Sequence, residues 1–208
     1  PWTVQSWLAS VIYAGLEDLA GLTGIRVLST ALVLGLIVGL WKLTEPAEGL
    51  LARAVAIGLP VMVGVTAWTE RPFMFGLVGL VLVLLAADGR LDPRWLVPVL
   101  WLWANTHGSF PFAAGVLVLL ALGHYLDTRE RPDVELRCLL WTVVGMLVAV
   151  VGPLGTKVLT FPFSALEHRD AFAEVKEWQP LDFGSTYGRI FLIQMLATAV
   201  ALVRVRRW

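Results

Sequence analysis

The chain has 208 residues, of which 58% are hydrophobic and only 15% are charged. Soluble domains average about 45–50% apolar and about 25% charged residues, so this composition excludes an ordinary water-soluble domain. Lysine plus arginine and aspartate plus glutamate total 16 each, so no net positive charge favours nucleic acid as a partner. The composition predicts an all-α, polytopic transmembrane helix bundle whose partner is the lipid bilayer.

The first predicted element is an amphipathic helix over residues 4–22. Its apolar residues recur at helical spacing, while its polar residues lie on another face, which is typical of a helix on a membrane surface. The apolar positions are Trp7, Leu8, Val11, Ile12, Leu16 and Leu19. Gly21 and Gly24 are expected to end this helix. Residues 1–24 are therefore predicted to be an extracytoplasmic interfacial segment, and residues 25–208 the transmembrane bundle.

The membrane spans are predicted from runs of about 20 apolar residues, the length that crosses a bilayer as a helix. Such runs occur at 25–43, 50–68 and 187–203. The run at 72–87 is shorter and would span only if its flanks enter the interface. The run at 134–151 includes Glu135 and Arg137 near its start, so its apolar part begins at Cys138. The region 95–126 is too long for one span and is interrupted by polar residues, glycine and proline at 105–111. It predicts a broken helix pair, 95–104 and 112–126, whose free backbone groups must face protein or a water-filled cavity.

The basic residues of the short loops predict the orientation. If the amphipathic helix lies outside, most of the 16 lysines and arginines fall at the inner ends of the spans. This is the sign of the positive-inside bias, and it predicts a multi-pass protein whose amphipathic helix lies on the outer side of the membrane. An outer loop is then expected at about 152–186.

Three polar clusters are predicted at the outer face, and each has a structural and a functional interpretation. Glu70 and Arg71 form a turn before a span, where Arg71 either touches lipid headgroups or binds the phosphate of a lipid-linked substrate. Asn105 and His107 lie in the helix break, where they either cap a helix end or line a polar cavity. Gly108 and Ser109 beside them would let a ligand approach the backbone.

The third cluster lies in the predicted outer loop. Glu177 and Trp178 combine a carboxylate with an aromatic ring, which suits contact with a sugar, but a loop resting on the interface through Trp178 explains them equally well. Lys157, in the same loop, is a further candidate for binding a phosphate. These residues are therefore substrate-binding candidates rather than assigned catalysts.

The sequence identifies no metal site and no cofactor motif. The three histidines are far apart, and neither a glycine-rich phosphate loop nor a nucleophile elbow is present. The catalytic residue is therefore unknown. The predicted outer carboxylates that could act as a general base are Glu70, Glu167, Asp170 and Glu177.

Four short stretches resemble a known group when they are taken in order. They are Pro1-Trp2-x-x-Gln5-Ser6-Trp7-Leu8, Arg71-Pro72, Trp103-Ala104-Asn105-x-His107-Gly108-Ser109-Phe110 and Glu177-Trp178-Gln179-Pro180. Over nearly the whole chain the sequence resembles bacterial multi-pass proteins placed near the GT-C glycosyltransferases. That superfamily includes the protein O-mannosyltransferases and the lipid A aminoarabinose transferases.

The resemblance implies an enzyme that moves a sugar from a polyprenyl-phosphate donor to an acceptor on the outer side of the membrane. In that superfamily the acidic catalytic residue lies in the first extracytoplasmic loop, upstream of the segment that resembles residues 1–22. This chain is therefore expected to be the carboxy-terminal part of such an enzyme, without that residue and without any carboxylate that contacts a divalent metal. Arg71, Asn105, His107 and Glu177 match recurring positions of the group.

Two other interpretations remain open. A transporter or flippase-like carrier would use the broken helix pair as a midplane site, as discontinuous helices do in many transporters. Transporters of that kind usually contain paired repeats, and the sequence shows no convincing repeat. A non-enzymatic membrane protein would leave the outer polar clusters apart and facing solvent.

Overall fold

The computed structural model describes residues 4–65, 68–167 and 181–205. Within these ranges the chain forms nine α-helices and one short 3-10 helix and contains no strand, which confirms the all-α prediction. The helices are α1 (Trp7–Ala20), α2 (Leu22–Leu43), α3 (Leu50–Gly64), α4 (Phe73–Ala87), α5 (Leu96–Thr106), α6 (Pro111–Thr128), α7 (Asp133–Val148), α8 (Lys157–Glu167) and α9 (Thr186–Val205), and the 3-10 helix is Pro93–Trp95.

Three of the described helices are long and apolar enough to cross a membrane, namely Leu22–Leu43, Pro111–Thr128 and Thr186–Val203. The runs predicted at 50–68 and 72–87 form helices of only 15 residues each. At 1.5 Å per residue each of these is about 22 Å long, less than the 30 Å of a bilayer core. Composition indicated these two helices correctly, but it overestimated the length of the first.

The predicted helix break is present but is shorter than predicted, because Asn105 and Thr106 belong to α5 and Pro111 belongs to α6. Helix α5 ends at Thr106, and α6 begins at Pro111. His107 between them is extended, with φ −154° and ψ 138°. Proline fits the first turn of α6, where its missing N–H is not needed, but it could not continue α5. The break therefore follows from the local sequence.

Two expectations about boundaries were wrong. Gly24 does not end the first helix but lies inside α2, where an added Cβ would come within 2.6 Å of the Leu16 carbonyl oxygen. The predicted outer loop at 152–186 contains helix α8, and Val158 in this helix is fully buried. Proline removes a backbone donor and is unfavourable inside a helix, yet α8 contains Pro162 and packs on the bundle.

Helix α1 lies across one end of the bundle, which is called the α1 end below. Gly21, with φ 58°, makes the turn between α1 and α2. The last turn of α1 contacts the start of α2 at Gly24, and the Tyr13 ring lies 6.4 Å from that of Phe75 at the start of α4. The first turn of α1 reaches the end of α5. The predicted amphipathic helix therefore exists, and part of its apolar face is covered by protein.

Helices α4 and α5 occupy the centre of the bundle. Gly76 and Gly79 of α4 face the Trp103 ring, and an added Cβ at Gly79 would come within 2.6 Å of a ring carbon. On its other side α5 packs on α7, where a Cβ at Gly145 would come within 2.7 Å of the Leu100 Cβ. Small residues thus allow close helix packing, as is common between helices in membranes. This packing holds the end of α5 at the α1 end.

Candidate functional site at the α1 end

The chain at the start of α1 is hydrogen-bonded to the last turn of α5 through Gln5, just before the helix, and Trp7, its first residue. The Gln5 amide nitrogen donates to the carbonyl oxygen of Ala104. The indole nitrogen of Trp7 donates to Oδ1 of Asn105 at 2.8 Å. These bonds satisfy groups at the end of a helix, where the last carbonyls have no partner within the helix. They attach α1 directly to the helix break.

Asn105 is fully buried, and its side-chain amide forms three hydrogen bonds to other protein groups. Besides accepting from Trp7, its Nδ2 donates to the carbonyl oxygen of Trp101 at 2.8 Å and to that of Ala149 at 3.4 Å. Asn105 thereby joins α1, α5 and the end of α7. Its predicted role in binding a substrate stays a prediction.

His107 belongs to a chain of hydrogen bonds with Ser109 and Trp103. The Trp103 indole nitrogen donates to Oγ of Ser109 at 3.1 Å, and this hydroxyl lies 2.7 Å from Nδ1 of His107. The backbone N–H of Ser109 also donates to Nδ1, at 3.3 Å. Because Nδ1 accepts, the neutral imidazole carries its proton on Nε2. Among the described residues Nε2 has no hydrogen-bond partner, so it remains available as a donor.

The glycine of the break is covered by protein side chains. An added Cβ at Gly108 would lie 3.3 Å from the ring of Phe161 in α8 and 3.5 Å from the side-chain oxygen of Gln5. The close approach that this glycine permits is therefore made by α8 and by Gln5, two residues before α1. The Ser109 hydroxyl is likewise used within the chain.

The Glu70–Arg71 turn lies next to the break. Phe73, two residues after Arg71, meets the His107 ring edge to face, with the ring centroids 5.5 Å apart. Glu70 and Arg71 are themselves exposed. The structure therefore brings two of the three predicted clusters to the same end of the bundle, with the first turn of α4 between them.

A groove runs beside this turn, between α1, the start of α2 and Glu70. It has a volume of about 380 Å3 and is lined by Tyr13, Leu22, Ile25, Arg26 and Glu70. Burial raises the pKa of the Tyr13 phenol, and the Glu70 carboxylate raises it further, because both disfavour the phenolate. The groove combines a carboxylate, a guanidinium and a neutral phenol with two aliphatic side chains.

Sequence reasoning missed Tyr13 and Arg26. Tyr13 lies within the predicted amphipathic helix at 4–22, and Arg26 lies at the start of the predicted span at 25–43. A turn at Gly21 could have indicated both residues, because α1 folds back at that turn and faces the start of α2. The contact between α1 and the start of α2 depends on tertiary packing.

The remaining predicted site residues are Lys157, Glu177 and Trp178. Lys157 is exposed at the start of α8, and this helix reaches the break through Phe161. No described contact joins Lys157 to Arg71 or to His107. Glu177 and Trp178 lie outside the described residues, so their predicted role stays a prediction.

A metal centre is not formed by the part of the chain that the structure describes. No three histidine, cysteine, aspartate or glutamate side chains gather there in a way that could hold an ion. The residues at the α1 end can bind a ligand through charge, hydrogen bonds and apolar contact.

The fold and this site define a class: an all-helical protein with three helices able to cross a membrane and a polar groove beside a helix break. Comparison of the chain with protein-family models, with curated proteins and with solved structures found no match. The likeness to GT-C enzymes therefore rests on its short sequence motifs alone.

Proposed function

We propose that the chain is part of a GT-C-like glycosyltransferase of the bacterial inner membrane, and that it binds a polyprenyl-phosphate-linked sugar at the α1 end, outside the cytoplasm. One observation carries this proposal. The groove lined by Tyr13, Arg26 and Glu70 adjoins both the Arg71 turn and the start of α2, a helix apolar enough to cross the membrane. Charged and apolar groups thus meet where a lipid-linked phosphate would enter.

The membrane placement is supported by the exposed apolar surface. In α2, α6 and α9 only 17%, 11% and 6% of the apolar window is buried. Soluble monomers rarely expose contiguous apolar patches of more than a few hundred Å2, so these faces suit contact with lipid. With α2, α6 and α9 crossing the bilayer, α1 lies at the interface. The shorter helices reach both interfaces only with their flanking residues.

The groove matches the chemistry of a lipid-linked sugar donor. Arg26 and the neighbouring Arg71 would bind the phosphate, since guanidinium groups form paired hydrogen bonds to phosphate oxygens. Leu22 and Ile25 would contact the first isoprene units as the lipid leaves the groove for the bilayer. Glu70 would accept hydrogen bonds from sugar hydroxyls. His107 would add a donor through Nε2, and the catalytic base is unassigned.

The test is photocrosslinking of the purified protein to a radiolabelled, photoreactive polyprenyl phosphate. Arg26→Gln combined with Arg71→Ala is expected to lower labelling about tenfold or more, because two charge-assisted contacts to phosphate are lost. The matched control is Arg131→Ala, an exposed arginine paired with Asp133 at the opposite end of the bundle. It is expected to keep full labelling.

Equal labelling of the groove variant and the wild type would contradict the proposal. Equal loss in the groove and control variants would show that labelling follows overall charge rather than this groove. Circular dichroism of each variant controls for loss of the helical fold.

A carrier that moves a lipid-linked sugar across the membrane is the second candidate, favoured by the helix break between α5 and α6. Against it stands the packing on both sides of that break: Asn105 and Thr106 at the end of α5 are fully buried, and Phe110 before α6 is 3% exposed. A liposome assay that detects transbilayer movement of the donor without transfer would favour the carrier.

A further inference from the structure

A second cavity lies at the end of the bundle opposite α1. Its volume is about 660 Å3, and it forms where the end of α4, the 3-10 helix and the first half of α7 meet. Its polar lining includes Asp92, Arg94 and Arg137, and Trp141 stands beside them. Neither the sequence motifs nor the proposed donor site uses this cavity.

The two arginines of this cavity have no acidic partner, unlike Arg90 and Arg131 at the same end. Within the described residues, neither the Arg94 nor the Arg137 side chain makes an ion pair or a hydrogen bond. At the same end, Arg90 pairs with Glu45 and Asp88, and Arg131 pairs with Asp133. In a chain with no net charge, two unpaired guanidinium groups beside one cavity make it a local site of positive charge.

The carboxylate in the lining is already engaged by the backbone. Oδ1 of Asp92 accepts the backbone N–H of Arg94 at 2.9 Å and so caps the 3-10 helix. Its charge opposes an anion in the cavity, but two cations outweigh it. The cap also fixes the position of Arg94 at the rim.

One face of α7 forms part of the wall of the cavity. Val134, Arg137 and Trp141 are spaced three and four residues apart, so their side chains lie in one row along the helix. Leu91 faces them from the other side. Trp95 on the 3-10 helix is 61% exposed at this end, as aromatic residues at a membrane interface are.

We propose that this cavity binds the phosphate group of an anionic ligand between Arg94 and Arg137, with the apolar part of the ligand against Trp141. Two guanidinium groups can form paired hydrogen bonds to one phosphate. In the proposed membrane orientation the source is an anionic lipid headgroup of the cytoplasmic leaflet, because basic pockets between helices on that side bind such headgroups. The lipid source rests on that orientation but not on the transferase activity.

The experiment uses the purified protein in a neutral detergent with two separate probes, phosphatidylglycerol and inorganic phosphate. Native mass spectrometry measures the lipid retained, and thermal unfolding measures stabilisation by phosphate. The cavity variant is Arg94→Gln/Arg137→Gln. The matched control, Arg129→Gln/Arg131→Gln, removes two exposed arginines at the same end that do not line the cavity.

Phosphatidylglycerol is expected to bind the cavity variant about 30-fold more weakly than the wild type, because each arginine near an anionic headgroup contributes about fivefold. The control is expected to match the wild type. If inorganic phosphate stabilises the wild type through both arginines while the lipid does not bind, the site takes a free phosphate, and the proposal holds with that source.

Equal weakening in the two double variants would overturn the proposal, as would a wild type that binds neither probe. Arg26→Gln/Arg71→Ala is expected to retain phosphatidylglycerol fully. Failure of this proposal and failure of the proposed donor site would therefore be observed separately.

Discussion

Asn105 is a polar residue whose hydrogen bonds are all made within the protein. Its amide accepts from Trp7 and donates to the Trp101 and Ala149 carbonyls, at the point where three elements meet. A buried donor or acceptor left without a partner costs about 1–3 kcal/mol. The described contacts therefore give Asn105 a structural role whether or not a ligand lies nearby.

A double-mutant cycle tests that role. Asn105→Ala is expected to destabilise the protein by about 1–3 kcal/mol, since it strands the Trp7 indole N–H and removes two bonds to carbonyls. Trp7→Phe removes the donor as well. The two changes are therefore expected to be non-additive by about 0.5–3 kcal/mol, measured by thermal unfolding in detergent. Strict additivity would show that the bond contributes nothing to stability.

His107 differs from Asn105 because its hydrogen bonds use only one of its two ring nitrogens. Ser109 occupies Nδ1, while Nε2 has no partner among the described residues. The Phe73 ring packs against the imidazole and holds its orientation. Of the two residues predicted in the break, His107 is therefore the one with a hydrogen-bonding group left for a ligand.

Helix α1 lines the candidate site at the end of the bundle. It contacts α2 through Leu16, α4 through Tyr13 and α5 through Trp7, so it covers the break and forms one wall of the groove. Its apolar side is not wholly used by these contacts, since Val11 is 59% and Leu19 is 84% exposed. These residues remain free to enter the membrane interface, as the amphipathic pattern predicts.

Cysteine labelling tests whether α1 is docked. In a Cys138→Ala background, Ser10→Cys is expected to react with a maleimide, because Ser10 is exposed. Ala9→Cys is expected to react about tenfold or more slowly, because Ala9 is fully buried and reacts only when α1 opens locally. Equal reaction rates at the two positions would mean that α1 is not held against the bundle.

The orientation of the whole molecule in the membrane can be tested by finding on which side of the membrane Glu70 lies. Glu70 and Glu130 are exposed at opposite ends of the described bundle. In a Cys138→Ala background, Glu70→Cys is expected to react with a membrane-impermeant maleimide added to intact spheroplasts. Glu130→Cys is expected to react only after lysis, because the positive-inside bias predicts that its end is cytoplasmic. The reverse pattern would move the proposed donor site to the cytoplasmic side.

The extent to which the sequence predicts the whole fold depends on the length and regularity of each pattern. The apolar runs predicted helices α2, α4, α7 and α9, because burial in lipid or protein requires continuous apolar surface. Pro111 predicted the break. Helix α8 was missed because it has 11 residues and an internal proline, and its stability comes from contacts such as that of Val158. Such contacts join distant parts of the chain and leave no local pattern.

The sequence by itself determined the composition class, the positions of the apolar helices and the polar residues at their ends. It did so because backbone groups in an apolar environment must be bonded within each helix, a local requirement. Only the tertiary structure decided that Tyr13, Arg26 and Glu70 share a groove. It also decided that Arg94 and Arg137 line another cavity. It further showed that the Asn105 side chain forms hydrogen bonds to other protein groups. These arrangements depend on how helices pack side by side, which is a property of contacts between segments.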